Sequence, residues 1–212
     1  MKSNDILSAG NAPARIGPLQ RLRQWFDIPP SQRGPNSLWY LEHRNLLEDY
    51  ALEHWKSELG PDHGPEHWRR VESFGSHMWD PKKTDIDVIV AFAYLHDVER
   101  EDNLDDLGHG PRAAELVDSL RDGLLSYMSN RQIRLLKKAC RLHSCVDRTD
   151  NATVNTCFDA DRLDLPRCGT AVDPGRLATH NGRMICLTQW YRKMWSDTMS
   201  EPVLQEREDT SM

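Results

Sequence analysis

A chain of 212 residues suffices for one domain with extensions around a single core, and two domains would be cramped. With 28% charged residues and a formal net charge of −6, it has no basic excess to attract a nucleic-acid polymer, although a bound metal could supply positive charge to a small anionic substrate. The longest apolar run, Val88 to Leu95, is too short to span a bilayer, the start lacks the apolar core of a secretion signal, and five cysteines without framework spacing suggest reduced thiols, so a cytoplasmic protein is expected.

Residues 1–36 repeat Gly, Pro and Asn around one short stretch, Leu19 to Ile28, that could pack, and they read as a partly ordered extension. Beyond them apolar residues recur at helical spacing, with no strand alternation and no internal repeat. The class is therefore all-α, a compact multi-helix bundle over 37–197 followed by a flexible tail over 198–212. The spacing predicts helices over 37–58, 65–79, 84–97, 109–128, 130–144, 152–165 and 183–197. Ser37, Thr84 and Asn130 offer N-caps, and Pro65 and Pro111 suit first turns, where no amide is needed. Gly60 and Pro61 stop the first helix, and the turn at Pro81 separates the second from the third.

Each apolar stripe, followed along its helix, runs into a residue that can bind metal. His67 is in phase with Val71, Phe74 and Met78; Ile86, Ile89, Val90 and Ala93 lead to His96 and Asp97. His109 precedes Ala113, Leu116 and Leu120; Ile133, Leu136 and Cys140 lead to His143; Val154 and Phe158 precede Asp161. Burying one unpaired carboxylate costs several kcal/mol, so Asp97 and Asp161 each require a cation or strong hydrogen bonds. A shared metal would answer both needs, and imidazole with carboxylate suits Mn, Fe, Co, Ni or Zn. Spacing alone leaves a hydrogen-bonded core reading equally open.

The segments HGPEHWRRV, FAYLHDVERED, GHGPRAAELV, ACRLHS and CFDADRLDLPRCG resemble, in order, the motifs of the HD-superfamily metal-dependent phosphohydrolases, over roughly residues 60–180. The resemblance implies an HD-domain helical bundle with a metal site between helices, and a divalent ion, with Mg added to the metals above, held by His67, His96, Asp97 and Asp161. One ion or two would fit. Asp161 is chosen over Asp159 and Asp164 because it precedes Arg-Leu and lies on the stripe from Val154 to Leu165. Asp164 could instead cap or brace. His109 and His143 match histidines that bind a second metal in some members and contact substrate phosphate in others. An acidic residue often follows the His-Asp pair by three positions in that family, whereas Arg100 stands here and could hold phosphate oxygens.

The implied reaction is attack of water on phosphorus, with Asp97 ligating the metal and orienting the water. Asp97, His109, His143, Arg100 and Arg112 are the catalytic candidates, and Arg162 and Arg167 are weaker ones. Arg112 lies one turn from His109 at a helix start, which also favours an anion. The substrate expected is a small phosphorylated compound, a nucleotide or a related phosphoester or pyrophosphate. A catalytically silent nucleotide-binding module of the same fold is the alternative, and oxygen-dependent di-iron chemistry is a third reading. Cys140, His143 and Cys145 lack a second pair to close a structural zinc site. Trp39, Trp55 and Trp68 read as core or interface, and Trp190 and Trp195 with Tyr191 and Met194 as a last helix packing on the core or on a second subunit, so a homodimer is admitted.

Overall fold

A run of ten residues, Ile86–Leu95, is apolar on every side but Asp87, and such a helix is stable only when other elements surround it. The computed structural model, which describes residues 38–103 and 106–195, places this helix at the centre of the bundle, with all ten residues buried. Among the described residues there are eight α-helices and no strands: α1 (Leu38–His54), α2 (Pro65–Met78), α3 (Ile86–Leu95), α4 (His109–Ser119), α5 (Asn130–Leu142), α6 (Ala152–Arg162), α7 (His180–Cys186) and α8 (Gln189–Met194). Helices α1, α2, α5 and α6 pack around α3, while α4 lies on α5. The core they enclose includes Trp68, Phe74, Phe92, Tyr94, Leu136 and Phe158, each at 2% exposure or less. Burying a side chain of that size contributes about 1.5–3 kcal/mol. The four residues expected to form an α3 stripe are thus part of a helix buried all round.

The extension over 1–36, the Ser37 cap and the tail over 198–212 lie outside the described residues, as do the side chains of Trp39 and Trp190. Elsewhere several helices are shorter than the spacing predicts, and local hydrogen bonds explain where they stop. After Ser119, bonds from Arg121 to Asp118 and from Gly123 to Leu120 replace the α-helical ladder, so the expected 109–128 helix ends nine residues early as tight turns. The expected 183–197 helix is two helices. Thr188 accepts the amide of Tyr191 on its side chain and starts α8 afresh, a serine/threonine capping bond competing with helix continuation. Beyond Arg162 the chain tightens into a short 3-10 turn, Leu165–Cys168, because Pro166 has no amide to extend α6.

Two expected caps are also corrected. Ser129, not Asn130, caps α5 in a reciprocal pair with Gln132, worth about 0.5–2 kcal/mol. Thr84 closes the turn at Asp80 with its hydroxyl, and Asp85 occupies the cap position of α3. The first helix ends at His54, ahead of the expected Gly60 stop; Gly60 itself has φ +86°, a left-handed conformation suited to glycine, between two short 3-10 turns. Tyr191 and Trp195 are buried against this chain's own core, with Tyr191 donating to Leu163 O at 2.7 Å.

Candidate metal centre

The ends of α3 and α5, the start of α4 and the interior faces of α2 and α6 meet at one point. Helix α3 ends at Leu95, so the His96-Asp97 pair sits in its exit turn, with Arg100 N closing on Asp97 O. His67 comes from the first turns of α2, Asp161 from the last turn of α6, His109 begins α4 and His143 follows α5. His67 and His96 are fully buried, while the Asp161 side chain keeps 17% of its exposure and marks the open side.

The tautomers follow from what each ring touches. His96 Nδ1 faces Phe92 O at 3.0 Å and His143 Nδ1 faces Cys140 O at 2.7 Å. His109 Nδ1 faces Asp106 O, and His67 Nδ1 lies 2.7 Å from Asp164 Oδ2. A carbonyl only accepts, so each of the first three Nδ1 atoms carries a proton, and His67 donates likewise to its carboxylate. In the neutral rings the four Nε2 atoms carry lone pairs, and they point inward in two pairs.

The first pair, His67 and His96, has its Nε2 atoms 3.1 Å apart. Asp97 Oδ2 lies 3.5 Å from both, and Asp161 Oδ1 lies 3.5 Å from His67 and 3.8 Å from His96. The second pair, His109 and His143, has its Nε2 atoms 2.8 Å apart, with Asp97 Oδ1 at 3.5 Å and 3.9 Å. Asp97 therefore stands between the pairs, one oxygen toward each, and its buried Oδ1 has no hydrogen-bond partner among the described residues. Facing lone pairs repel unless a shared proton or a metal ion lies between them, and these donors are separated by distances that also suit ligands about 2.1 Å from one ion. The buried His and Asp groups could hold a metal ion.

Electrostatics agree with that donor set at Asp97, Asp161, His96 and His143, and run the other way at His67. Burial alone would push Asp97 up, but the surrounding imidazoles, His96 foremost and then His63 and His67 through hydrogen bonds, hold its carboxyl well below the usual range. Against the same penalty of burial, the imidazoles of His96, His143 and His67 bring Asp161 down to about 2. Burial depresses His96 to about 3 and also lowers His143, so both stay neutral and able to ligate. For His67, burial and Arg167 act downward, yet the bonds to Asp164 and Asp97 and the charge of Asp161 outweigh them and raise its pKa.

Of the other expected residues, Arg100 points into the centre: its Nη1 lies 3.7 Å from Asp97 Oδ1 and within 3.3–3.5 Å of both ring nitrogens of His109. Arg112 does not join it. Its guanidinium donates to Glu99 O at 2.9 Å and to Asp106 Oδ2 at 2.5 Å, clasping the loop that carries Arg100 and His109. Arg162 donates to His143 O at 3.2 Å and Asp147 O at 2.8 Å, fixing the end of α5. Asp159 turns away to accept from Ala178 N, Thr179 N and Thr179 Oγ1. Asp164 braces His67 and is itself held by Arg70 Nε at 2.6 Å.

Two participants escape sequence reasoning. His63 Nδ1 lies 2.8 Å from Asp97 Oδ2, but the intervening Gly64-Pro65 breaks the helical phase that would have linked it to His67. Asp106 accepts from Glu101 N, Gly108 N and Arg112, yet it lies in a loop with no periodicity to reveal its burial. Cys140 is buried and Cys145 exposed, and no metal group containing a cysteine is found among the described residues.

Comparison of the chain with protein-family models, with curated proteins and with solved structures returned no match. Among the described residues no helix is long and apolar enough to cross a membrane.

Proposed function

We propose that this protein is a metal-dependent phosphohydrolase of the HD type, acting on a small phosphorylated compound such as a nucleotide or a related phosphoester or pyrophosphate. The observation that carries this reading is the first donor set: the Nε2 atoms of two fully buried imidazoles 3.1 Å apart, beside buried Asp97 and partly exposed Asp161. Burial makes such a set costly, and a divalent cation is the partner that would offset both carboxylates at once. Nitrogen and carboxylate donors without thiolate suit Mn, Fe, Co, Ni, Zn or Mg. A divalent ion held there supplies positive charge beside a phosphoryl oxygen and acidifies a water.

The chain's own residues do the rest. Asp97 would hold the ion through Oδ2, and its Oδ1 faces His109 and His143. The Nε2 atoms of those histidines, unprotonated at rest, accept a proton released on that side. Arg100, 7% exposed, offers N–H donors to phosphoryl oxygens. Asp161, with 17% of its side chain exposed, is the ligand candidate from which a small substrate would approach.

The experiment is metal analysis of the purified protein beside a screen for phosphate and pyrophosphate release from nucleotides and phosphoesters with added Mn, Co, Ni or Mg. Metal-dependent release that disappears in His67→Ala supports the hydrolase. Bound metal without release from any substrate class favours a sensor that binds a nucleotide without turnover.

A further inference from the structure

The two nitrogen pairs beside Asp97 differ in the charge that surrounds them. The first is closed by two carboxylates, Asp97 and Asp161, whose charge one divalent ion neutralises. Among the described residues the second meets the other oxygen of Asp97, while the nearby Asp106 carboxylate is already taken up by Arg112 and by the amides of Glu101 and Gly108. A cation is present there in the form of Arg100. Its Nη1 lies 3.5 Å from His109 Nε2 and 3.7 Å from Asp97 Oδ1, the same two atoms that a second ion would have to bind.

The guanidinium is held in that position. Its Nε reaches Asp102 O at 3.3 Å, Lys56 Nζ donates to Arg100 O at 3.1 Å, and Arg112 secures the loop from Glu99 to Asp106. An arginine does not lose its charge at any working pH, so this cation is permanent. A dication a coordination bond away from His109 and Asp97 would face it across a short, poorly screened distance, with Asp97 Oδ1 the carboxylate oxygen that meets both nitrogens among the described residues.

We propose that Arg100 takes the place of a second metal ion, so that the centre binds one divalent ion, at His67, His96, Asp97 and Asp161, with the guanidinium as its fixed cationic counterpart. An anionic oxygen of the substrate, a phosphoryl oxygen in the hydrolase reading, then bridges ion and guanidinium. The inference rests on the metal reading above and deepens it, by stating how many ions the centre takes and which side chain decides the number.

The test is metal stoichiometry of the full chain, loaded with Mn(II), freed of excess ion and measured by elemental analysis together with electron paramagnetic resonance. One equivalent with the spectrum of an isolated Mn(II) is expected for the wild type. Arg100→Glu removes the cation and adds a carboxylate, and it is expected to take up two equivalents with the signature of a spin-coupled pair; adding His143→Ala to it returns the count to one. Two equivalents in the wild type, or one in a folded Arg100→Glu, would overturn the inference while leaving the metal centre standing. No bound Mn(II) in the wild type would sink the metal reading itself, and the inference with it. Should Arg100→Glu not fold, His143→Ala in the wild-type background decides. An unchanged single ion with affinity within about threefold of wild type supports the proposal, and any larger loss of affinity for that ion overturns it.

Discussion

His67 donates from Nδ1 to Asp164 Oδ2 at 2.7 Å, with both side chains fully excluded from solvent. Asp164 contributes no atom to the metal donor set, yet it fixes the tautomer that leaves His67 Nε2 bare. Partners of this kind typically account for 10–100-fold in metal affinity. Asp164→Asn is therefore expected to weaken metal binding by roughly that factor while keeping the same ion count. Competition with a calibrated chelator measures it, and an unchanged affinity would remove Asp164 from the centre.

Asp97 carries more than one partner can replace, since its oxygens face both nitrogen pairs. Asp97→Ala is expected to abolish metal binding and metal-dependent phosphate release together. The wild type, but not this variant, is expected to gain thermal stability on adding metal, by about 2.7 kcal/mol at a hundredfold excess over Kd. A metal-loaded, active Asp97→Ala protein would disprove the assignment.

Gly110 lies where α4 crosses α5, and a Cβ there would meet Cys140 O at 2.6 Å and Arg141 O at 3.2 Å. Backbone atoms cannot swing aside as a side chain can. Gly110→Ala is expected to cost about 1–3 kcal/mol as the helices part. It also separates His109 from His143, whose rings the crossing brings together. Thermal unfolding reads the first effect. If the protein loses no stability, the close approach is not a constraint.

Asp106 ties the loop bearing Arg100 to the start of α4. Burial opposes its ionisation, but the amide of Glu101 and then Arg112 outweigh burial and hold the carboxyl below the usual carboxylate range. The sign follows from linkage: the ionised clasp stabilises the fold above the unfolded value of about 3.9, and that contribution fades as pH falls through the lower folded value. Asp106→Ala is expected to cost on the order of 1–3 kcal/mol near neutrality. The gap between variant and wild type in denaturant unfolding should narrow below about pH 4. A gap that stays constant across that range would show that the carboxylate charge is not what secures the loop.

The sequence by itself determined the helical class and many of the positions that had to be buried. Apolar residues at helical spacing declare which face turns inward, and a histidine in phase with them, as with His67 and His96, shares that interior; Asp161 stays partly exposed, while Asp159 and Asp164 are the fully buried aspartates beside it. Periodicity reports phase along one helix and nothing about what lies opposite. Only the tertiary structure could decide that Asp97 stands between two imidazole pairs, because those pairs join residues 29 and 34 positions apart. The same holds for the brace on His67, contributed from 97 residues downstream. Arg100 and Arg112 were both candidates to hold phosphate, on different grounds, and the fold sends one into the centre and the other onto Asp106. His63 was hidden by the break in helical phase at Gly64 and Pro65, although the chain returns it to Asp97. Burial is a local property that a pattern can carry, whereas the direction of a side chain and the identity of its partner depend on how the helices pack against one another.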